Sequence, residues 1–122
     1  MDLQINPALD IKYLNQVYGE DSSIIHLIFD AFLSDSMPRW HSLKTALEEE
    51  NYDEAASIVH GLKPSFTMAG LTAIRPQVEK LETAIKEGVE ISKLKVTYQH
   101  ISDELLPLIP IIESESGRLA AL

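Results

Sequence analysis

The sequence predicts an all-α fold, an up-down four-helix bundle with one or two additional N-terminal helices. Apolar residues recur at helical spacing in several stretches, and glycines and capping residues separate these stretches. No segment alternates apolar and polar residues as a half-buried strand would. With 122 residues, 45% of them hydrophobic, the chain suits a single domain over residues 1–122, with the bundle core at about 21–112.

The first predicted helix is short and spans about residues 7–18. Asn6 suits the N-cap, Pro7 suits the first helical position, and Gly19 supplies the stop. The apolar residues on its inner side are Leu9, Tyr13, Leu14 and Val17.

The second helix is long and interrupted. Asp21 or Ser22 caps it, and its apolar stripe is Ile24, Ile25, Ile28, Phe29, Phe32 and Leu33. Ser36, Met37 and Pro38 interrupt this stripe, which resumes in phase at Trp40, Leu43 and Leu47. We therefore expect two helices joined by a kink, ending in solvent near Glu48 to Glu50.

The third helix, from Tyr52 to Ala69, places a histidine in water. Asn51 followed by Glu54 resembles a capping box. At about 100° per residue, one face is buried; it holds Ala55, Ile58, Val59, Leu62, Phe66 and Ala69. His60 lies almost opposite, beside small or compact residues and Lys63. The imidazole is therefore predicted to be open to a partner.

Two further helices complete the bundle. Gly70 ends the His60 helix, and Thr72 is predicted to cap the next one, where Pro76 is tolerable in the first turn. Its stripe is Ile74, Val78, Leu81 and Ile85, before Gly88. Ser92 is predicted to cap the last helix, whose stripe is Leu94, Tyr98, Ile101, Leu105, Leu108 and Ile112. Pro107 and Pro110 should kink or fray its end, and the tail from Glu113 shows no core pattern.

Composition excludes several classes of function. The net charge of −9 argues against a nucleic-acid partner, because phosphate backbones are bound by clustered Lys and Arg. The absence of cysteine excludes disulfides, thiol catalysis and cysteine-ligated zinc. The N-terminus lacks a signal-peptide pattern, and no apolar run is long enough to span a membrane. We expect a cytoplasmic protein.

The stretch HGLKPSFTMAG resembles the motif of histidine-containing phosphotransfer (HPt) domains of multistep two-component phosphorelays. That pattern is His, any residue, Leu, Lys, usually Gly, then Ser or Ala, with a Gly ten residues after the His. The residues at these places are His60, Leu62, Lys63, Ser65 and Gly70. Pro64 departs from the pattern where a glycine is usual.

The resemblance implies a role for each of these side chains. His60 would carry a phosphoryl group on Nε2, with Nδ1 held by a neighbouring hydrogen bond, and Lys63 would offer its ammonium to the phosphate. Glu82 is a candidate to orient the imidazole, the alternative being an ordinary exposed glutamate. Pro64 cannot donate to the His60 carbonyl, so we expect a kink or a freed carbonyl there. Gly70 is structural.

The resemblance also implies partners. The protein would be a carrier without autokinase activity, and its partners would be response-regulator receiver domains and a hybrid histidine kinase. The carrier would hold no metal or cofactor, since the receiver supplies Mg²⁺ and most catalytic groups. We expect a freestanding monomer, as the initial Met favours, that docks through the exposed side around His60 with help from Ile11 and Leu14.

Two alternatives remain open. Pro64 leaves room for an HPt-like adaptor that is never phosphorylated. A metal-binding bundle would use His26, His41, His60 and His100, but di-iron bundles need Glu-x-x-His, and none of these histidines has Glu three residues before it.

Overall fold

Within residues 3–122, which the computed structural model describes, the chain forms seven α-helices and no strand. The helices are α1 Ile11–Tyr18, α2 Ser22–Ala31, α3 Met37–Glu48, α4 Tyr52–Met68, α5 Arg75–Lys86, α6 Ile91–Leu105 and α7 Ile109–Ala120. A π-helical turn, Phe32–Ser36, joins α2 to α3, and a 3-10 turn, Leu106–Leu108, joins α6 to α7. The predicted all-α class is confirmed.

The helices form four antiparallel rods. The α2–α3 pair and the α6–α7 pair are each one long interrupted helix, while α4 and α5 are single. Around the bundle, α3 packs on α4, α4 on α5, α5 on α6, and α6 on α3. Beyond this four-helix part α2 packs along α7, and α1 packs against α2. This is the predicted up-down bundle with one additional N-terminal helix.

Aromatic side chains fix α4 in the bundle. The ring of Phe66 makes edge contacts with Phe32 and Trp40, with centroids 5.6 and 5.8 Å away. Trp40 stacks on Tyr98 of α6 at 4.7 Å and donates from Nε1 to the Ser102 hydroxyl. The rings bury large areas and lock one face of α4 inward. The opposite face of that helix is therefore held toward solvent.

The interruption of the α2–α3 rod lies one turn earlier than predicted. The backbone N–H of Met37 donates to the carbonyl of Phe32, five residues back, which is the hydrogen bond of a π-helical turn. Pro38 then lies in the first turn of α3 and is exposed. The backbone lies in the right-handed helical region on both sides of the turn, and the interruption is present close to the predicted place.

The predicted start of the first helix is wrong. Asp10, not Asn6, is the N-cap of α1, and its carboxylate accepts from the N–H of Tyr13 at 2.9 Å. Asn6 instead caps a turn, with its side-chain oxygen accepting from Ala8. Asn caps turns and helices by the same side-chain acceptor, so its type alone does not decide between the two.

Two other predicted caps are also wrong. The α5 helix begins at Arg75 rather than just after Thr72, whose hydroxyl donates to the carboxylate of Asp10. The α6 helix begins at Ile91, so Ser92 lies inside its first turn. Pro76 does lie in the first turn of α5.

The expectation that the chain has no core pattern after Glu113 is also wrong. The α7 helix runs to Ala120 and buries Glu115, Ser116 and Leu119. Glu115 is paired with Arg118 at 2.7 Å and accepts from the backbone N–H of Asn6. Polar residues with such partners can be buried. The spacing of apolar residues alone therefore does not identify α7 as a core helix.

Candidate functional site

The α4 helix presents His60 to solvent from the middle of the bundle. Its N-cap is Asn51, whose side-chain oxygen accepts from the N–H of Glu54 at 3.2 Å, as the predicted capping box requires. The predicted inner face is buried, with Ile58 only partly so. The His60 side chain is 70% exposed on the opposite side. The imidazole therefore stands on a rigid helix, open to a partner.

A buried carboxylate on the neighbouring helix holds this imidazole. Nδ1 of His60 lies 2.9 Å from Oε2 of Glu82 on α5, whose side chain is only 6% exposed. An ionised carboxylate only accepts hydrogen bonds, so we assign the ring proton to Nδ1. Nε2 is then the unprotonated nitrogen, with its lone pair directed away from Glu82. The predicted Glu82–imidazole contact is present, and the alternative of an exposed glutamate is wrong.

Two lysines surround the same carboxylate. Nζ of Lys63 lies 2.7 Å from Oε1 of Glu82 and 3.8 Å from Glu79, and the Lys63 side chain is only 14% exposed. Nζ of Lys86 lies 3.6 Å from Oε2. Burial raises the pKa of Glu82, but hydrogen bonds from Lys63 and His60 and the lysine charges outweigh it and lower that pKa below its ordinary value. Glu82 is thus ionised at neutral pH and joins Lys63 to His60, a link that their spacing on α4 did not reveal.

Pro64 does not break the helix. The α4 helix is continuous from Tyr52 to Met68, with Pro64 inside it and exposed to solvent. Because proline has no N–H, the carbonyl of His60 lacks its usual helical donor. The side chains one turn before and one turn after His60 are small, namely exposed Ser57 and the proline ring.

Gly70 ends α4 and brings α1 against it. Its φ is +78°, a left-handed conformation that favours glycine, and a Cβ atom there would lie 3.0 Å from Cδ1 of Leu14. The carbonyl of Gly70 accepts from the N–H of Asp10 at 2.9 Å. Leu14 is fully buried by this packing, so its predicted role in docking is wrong. Ile11 is half-buried.

The sequence did not point to Arg39, a residue of α3 that lies against α4 at Gly61. Its Nη2 lies 2.5 Å from the position that a Cβ atom on Gly61 would occupy. Nη1 lies 3.8 Å from the Asp35 carboxylate. Arg39 and His60 are 21 residues apart in the sequence, and the mid-helix glycine beside His60 was the one available signal.

The remaining histidines are dispersed over the bundle. His26 lies on α2, where its Nδ1 contacts the hydroxyl of Ser116 at 2.9 Å, while His41 lies on α3 and His100 on α6. Among residues 3–122 there is no group of three or more His, Asp or Glu side chains placed to hold a metal ion. None of the helices in that range is both long and apolar enough to cross a membrane.

Comparison with known families gives a match over most of the bundle. The family model described as "Hpt domain" matches residues 28–109, which is more than half of the chain. No curated protein and no solved structure matches the chain. The matched range includes His60, Lys63 and Glu82, and it omits α1 and most of α7.

Proposed function

The chain belongs to the Hpt domain family, whose members are phosphocarriers in phosphorelays, and on that basis we propose that His60 carries a phosphoryl group between receiver-domain aspartates in a multistep relay. The observation that carries this proposal is the exposed imidazole with Nδ1 bound to Glu82 and Nε2 open. In this role the protein has no autokinase activity and is a cytoplasmic monomer.

The assigned tautomer suits nucleophilic attack. The Nε2 lone pair attacks the phosphorus of an aspartyl phosphate, the Nε2–P bond forms, and the P–O bond to the aspartate breaks. The aspartate carboxylate leaves with the electron pair, while Nδ1 keeps its proton. The product is a phosphorylated imidazolium, whose positive charge faces the buried carboxylate of Glu82. Onward transfer reverses these bond changes.

Glu82 and Lys63 then have separate roles. Glu82 is a positioning residue, since it fixes the tautomer and orientation of His60 without touching the phosphoryl group. Lys63 lies one turn along α4 and donates to Oε1 of Glu82, with further ammonium protons available to a phosphoryl oxygen. A charge-assisted bond of this kind contributes about 1.5–3 kcal/mol. The phosphate-supporting role of Lys63 stays a prediction.

The partner completes the site. Hpt domains interact with receiver domains and kinases in phosphorelays. We assign Mg²⁺ and the remaining charge neutralisation to the receiver, with a hybrid histidine kinase as the upstream donor. The docking surface proposed for the receiver continues from His60 along α4 to Met68, whose side chain is exposed. It extends across the groove that Met68 and Ile28 line.

The test is phosphoryl transfer from a phosphorylated receiver domain to wild type, His60→Gln and His100→Gln. His100 is an exposed histidine on α6 and serves as the matched control. Intact mass is measured under neutral conditions, because phosphohistidine is acid-labile. We expect a phosphoryl adduct on wild type and His100→Gln and none on His60→Gln. Equal binding of a receiver to wild type and His60→Gln, with no adduct on either, would replace this proposal with the adaptor function.

A further inference from the structure

The backbone conformation at position 61 does not require a glycine. Gly61 lies in the middle of α4, and it is not among the glycines with positive φ. A glycine in a helix interior is destabilising relative to alanine. The space that a side chain would fill is occupied, because Nη2 of Arg39 lies 2.5 Å from the position of a Cβ atom. The glycine therefore gives room to the arginine.

The Arg39 guanidinium has unused hydrogen-bond donors. Its one ion pair within the described part of the chain is with Asp35, at 3.8 Å, which is too long for a hydrogen bond. Over the same residues, its side-chain nitrogens donate no hydrogen bond. The Arg39 side chain is 43% exposed, so these donors are accessible from solvent. A guanidinium offers five donors in a planar fork that suits phosphate oxygens, and no group in the described part of the chain accepts a hydrogen bond from that fork.

Arg39 and Glu82 stand on opposite flanks of the imidazole. Successive helical residues are offset by about 100°, so Gly61 lies on one side of His60 and Lys63, about 300° on, lies on the other. The α5 helix packs on the Lys63 side and α3 on the Gly61 side. Since Glu82 binds Nδ1, Nε2 faces away from α5. The lysines on the α5 side already contact Glu82, whereas Arg39 contacts no buried carboxylate of residues 3–122.

We propose that the Arg39 guanidinium binds the phosphoryl oxygens on Nε2 of phosphorylated His60, and that Gly61 is the residue that lets it approach. This inference rests on the proposed function. The guanidinium lies against Gly61, the residue next to His60 on α4, and a change in the side-chain torsions of Arg39 would bring it to a group carried by His60. The loose pair with Asp35 holds Arg39 nearby and is exchanged for a bidentate contact with the phosphoryl group.

The test uses Arg39→Gln, Gly61→Ala, the double variant, and Lys95→Ala as a control for loss of one positive charge. Lys95 is an exposed residue on α6, which packs on α3 and α5. Three quantities are measured: the single-turnover rate of transfer at saturating phosphorylated receiver, the half-life of phosphorylated His60 after the receiver is removed, and the Kd for the receiver. The half-life is measured without a partner, so an effect on docking does not move it.

We expect Arg39→Gln and Gly61→Ala each to slow transfer about tenfold and to change the half-life several-fold, while Lys95→Ala changes neither. The double variant should be no slower than Arg39→Gln, because both changes remove the same contact. Gly61→Ala keeps the charge of Arg39 and restores a better helix former, so its thermal stability should equal or exceed that of wild type.

Failure of this inference differs from failure of the proposed function. If wild type is labelled and both variants transfer at the wild-type rate with the wild-type half-life, Arg39 does not bind the phosphoryl group. A change confined to the Kd for the receiver, or additive effects in the double variant, would also overturn the proposal. If wild type itself is never labelled, the proposed function fails, and this inference fails with it.

Discussion

Nδ1 of His60 lies 2.9 Å from Oε2 of Glu82, which joins a side chain that is 70% exposed to one that is 6% exposed. An exposed histidine ordinarily samples several rotamers and both tautomers. Here the buried carboxylate, itself held by Lys63 at 2.7 Å, selects one orientation and one protonated nitrogen.

Glu82→Gln should slow phosphoryl transfer about tenfold, which corresponds to about 1.4 kcal/mol in the barrier. The neutral amide no longer stabilises the imidazolium that forms on transfer, and it can present its NH₂ group to Nδ1. The matched control is Glu79→Gln, since Glu79 is 57% exposed and its carboxylate lies 3.8 Å from Nζ of Lys63, which is too long for a hydrogen bond. Single-turnover rates of the two variants, with receiver affinity measured in parallel, decide the matter. Equal rates would show that Glu82 does not position His60.

The contribution of Glu82 to stability should disappear in acid. Lys63, His60 and Lys86 lower its folded pKa below the ordinary value of 4.5 despite the opposing effect of burial, so folding favours the ionised form. The stabilisation is therefore complete above about pH 4.5 and is lost as pH falls through the folded pKa. Urea unfolding of wild type and Glu82→Gln from about pH 7 to about pH 3 measures this as a difference in the free energy of unfolding.

The difference between the two proteins is the informative quantity, because Asp10 and Glu115 also have lowered pKa values. The Thr72 hydrogen bond lowers that of Asp10, and the Arg118 hydrogen bond lowers that of Glu115. Wild type and Glu82→Gln both contain Asp10 and Glu115. A stability difference that grows as the pH falls below 4.5 would contradict the assigned direction.

Gly70→Ala should destabilise the fold by more than about 2 kcal/mol. Positive φ costs an alanine about 1–2 kcal/mol, and the added Cβ would lie 3.0 Å from the fully buried Leu14 side chain. Gly88→Ala is the control, since Gly88 has φ +72° but no atom of residues 3–122 within 4 Å of a Cβ, and it should lose only the conformational part. Equal losses in chemical denaturation would show that the packing of Leu14 on Gly70 contributes nothing.

Pro64→Ala should stabilise the protein by about 1–3 kcal/mol. Alanine restores the backbone donor to the carbonyl of His60, and the exposed proline ring gives up no core contact. Pro76→Ala, in the first turn of α5 where proline is tolerated, should change stability little. Thermal unfolding of the two variants checks this. A loss of stability in Pro64→Ala would mean that the proline supports α4 through contacts that its exposure does not suggest.

The fold was predictable because its main evidence is local. Apolar spacing within each helix identified the buried stripes, and the glycines at positions 19, 70 and 88 marked helix ends. The exposed setting of His60 followed from the same periodicity, since Phe66 and Leu62 must face the core. These inferences need only the angle between residues of one helix.

The predictions that were wrong concern features that depend on contacts between residues far apart in the sequence. Asp10 caps α1, and its carboxylate also binds Thr72, which no local pattern reveals. Glu115 is buried because Arg118 and the backbone of Asn6, 109 residues away, satisfy it. In the candidate site, His60 was evident from its motif, whereas the approach of Arg39 to Gly61 depends on how α3 packs against α4.

Nitrogen and phosphorus NMR of the imidazole, after transfer from a phosphorylated receiver, tests most directly whether His60 carries the phosphoryl group on Nε2. We predict phosphorus coupling to Nε2 of His60 and a protonated Nδ1 that is hydrogen-bonded to Glu82. Coupling to Nδ1, or a phosphoryl group on any other residue, would contradict this role of His60.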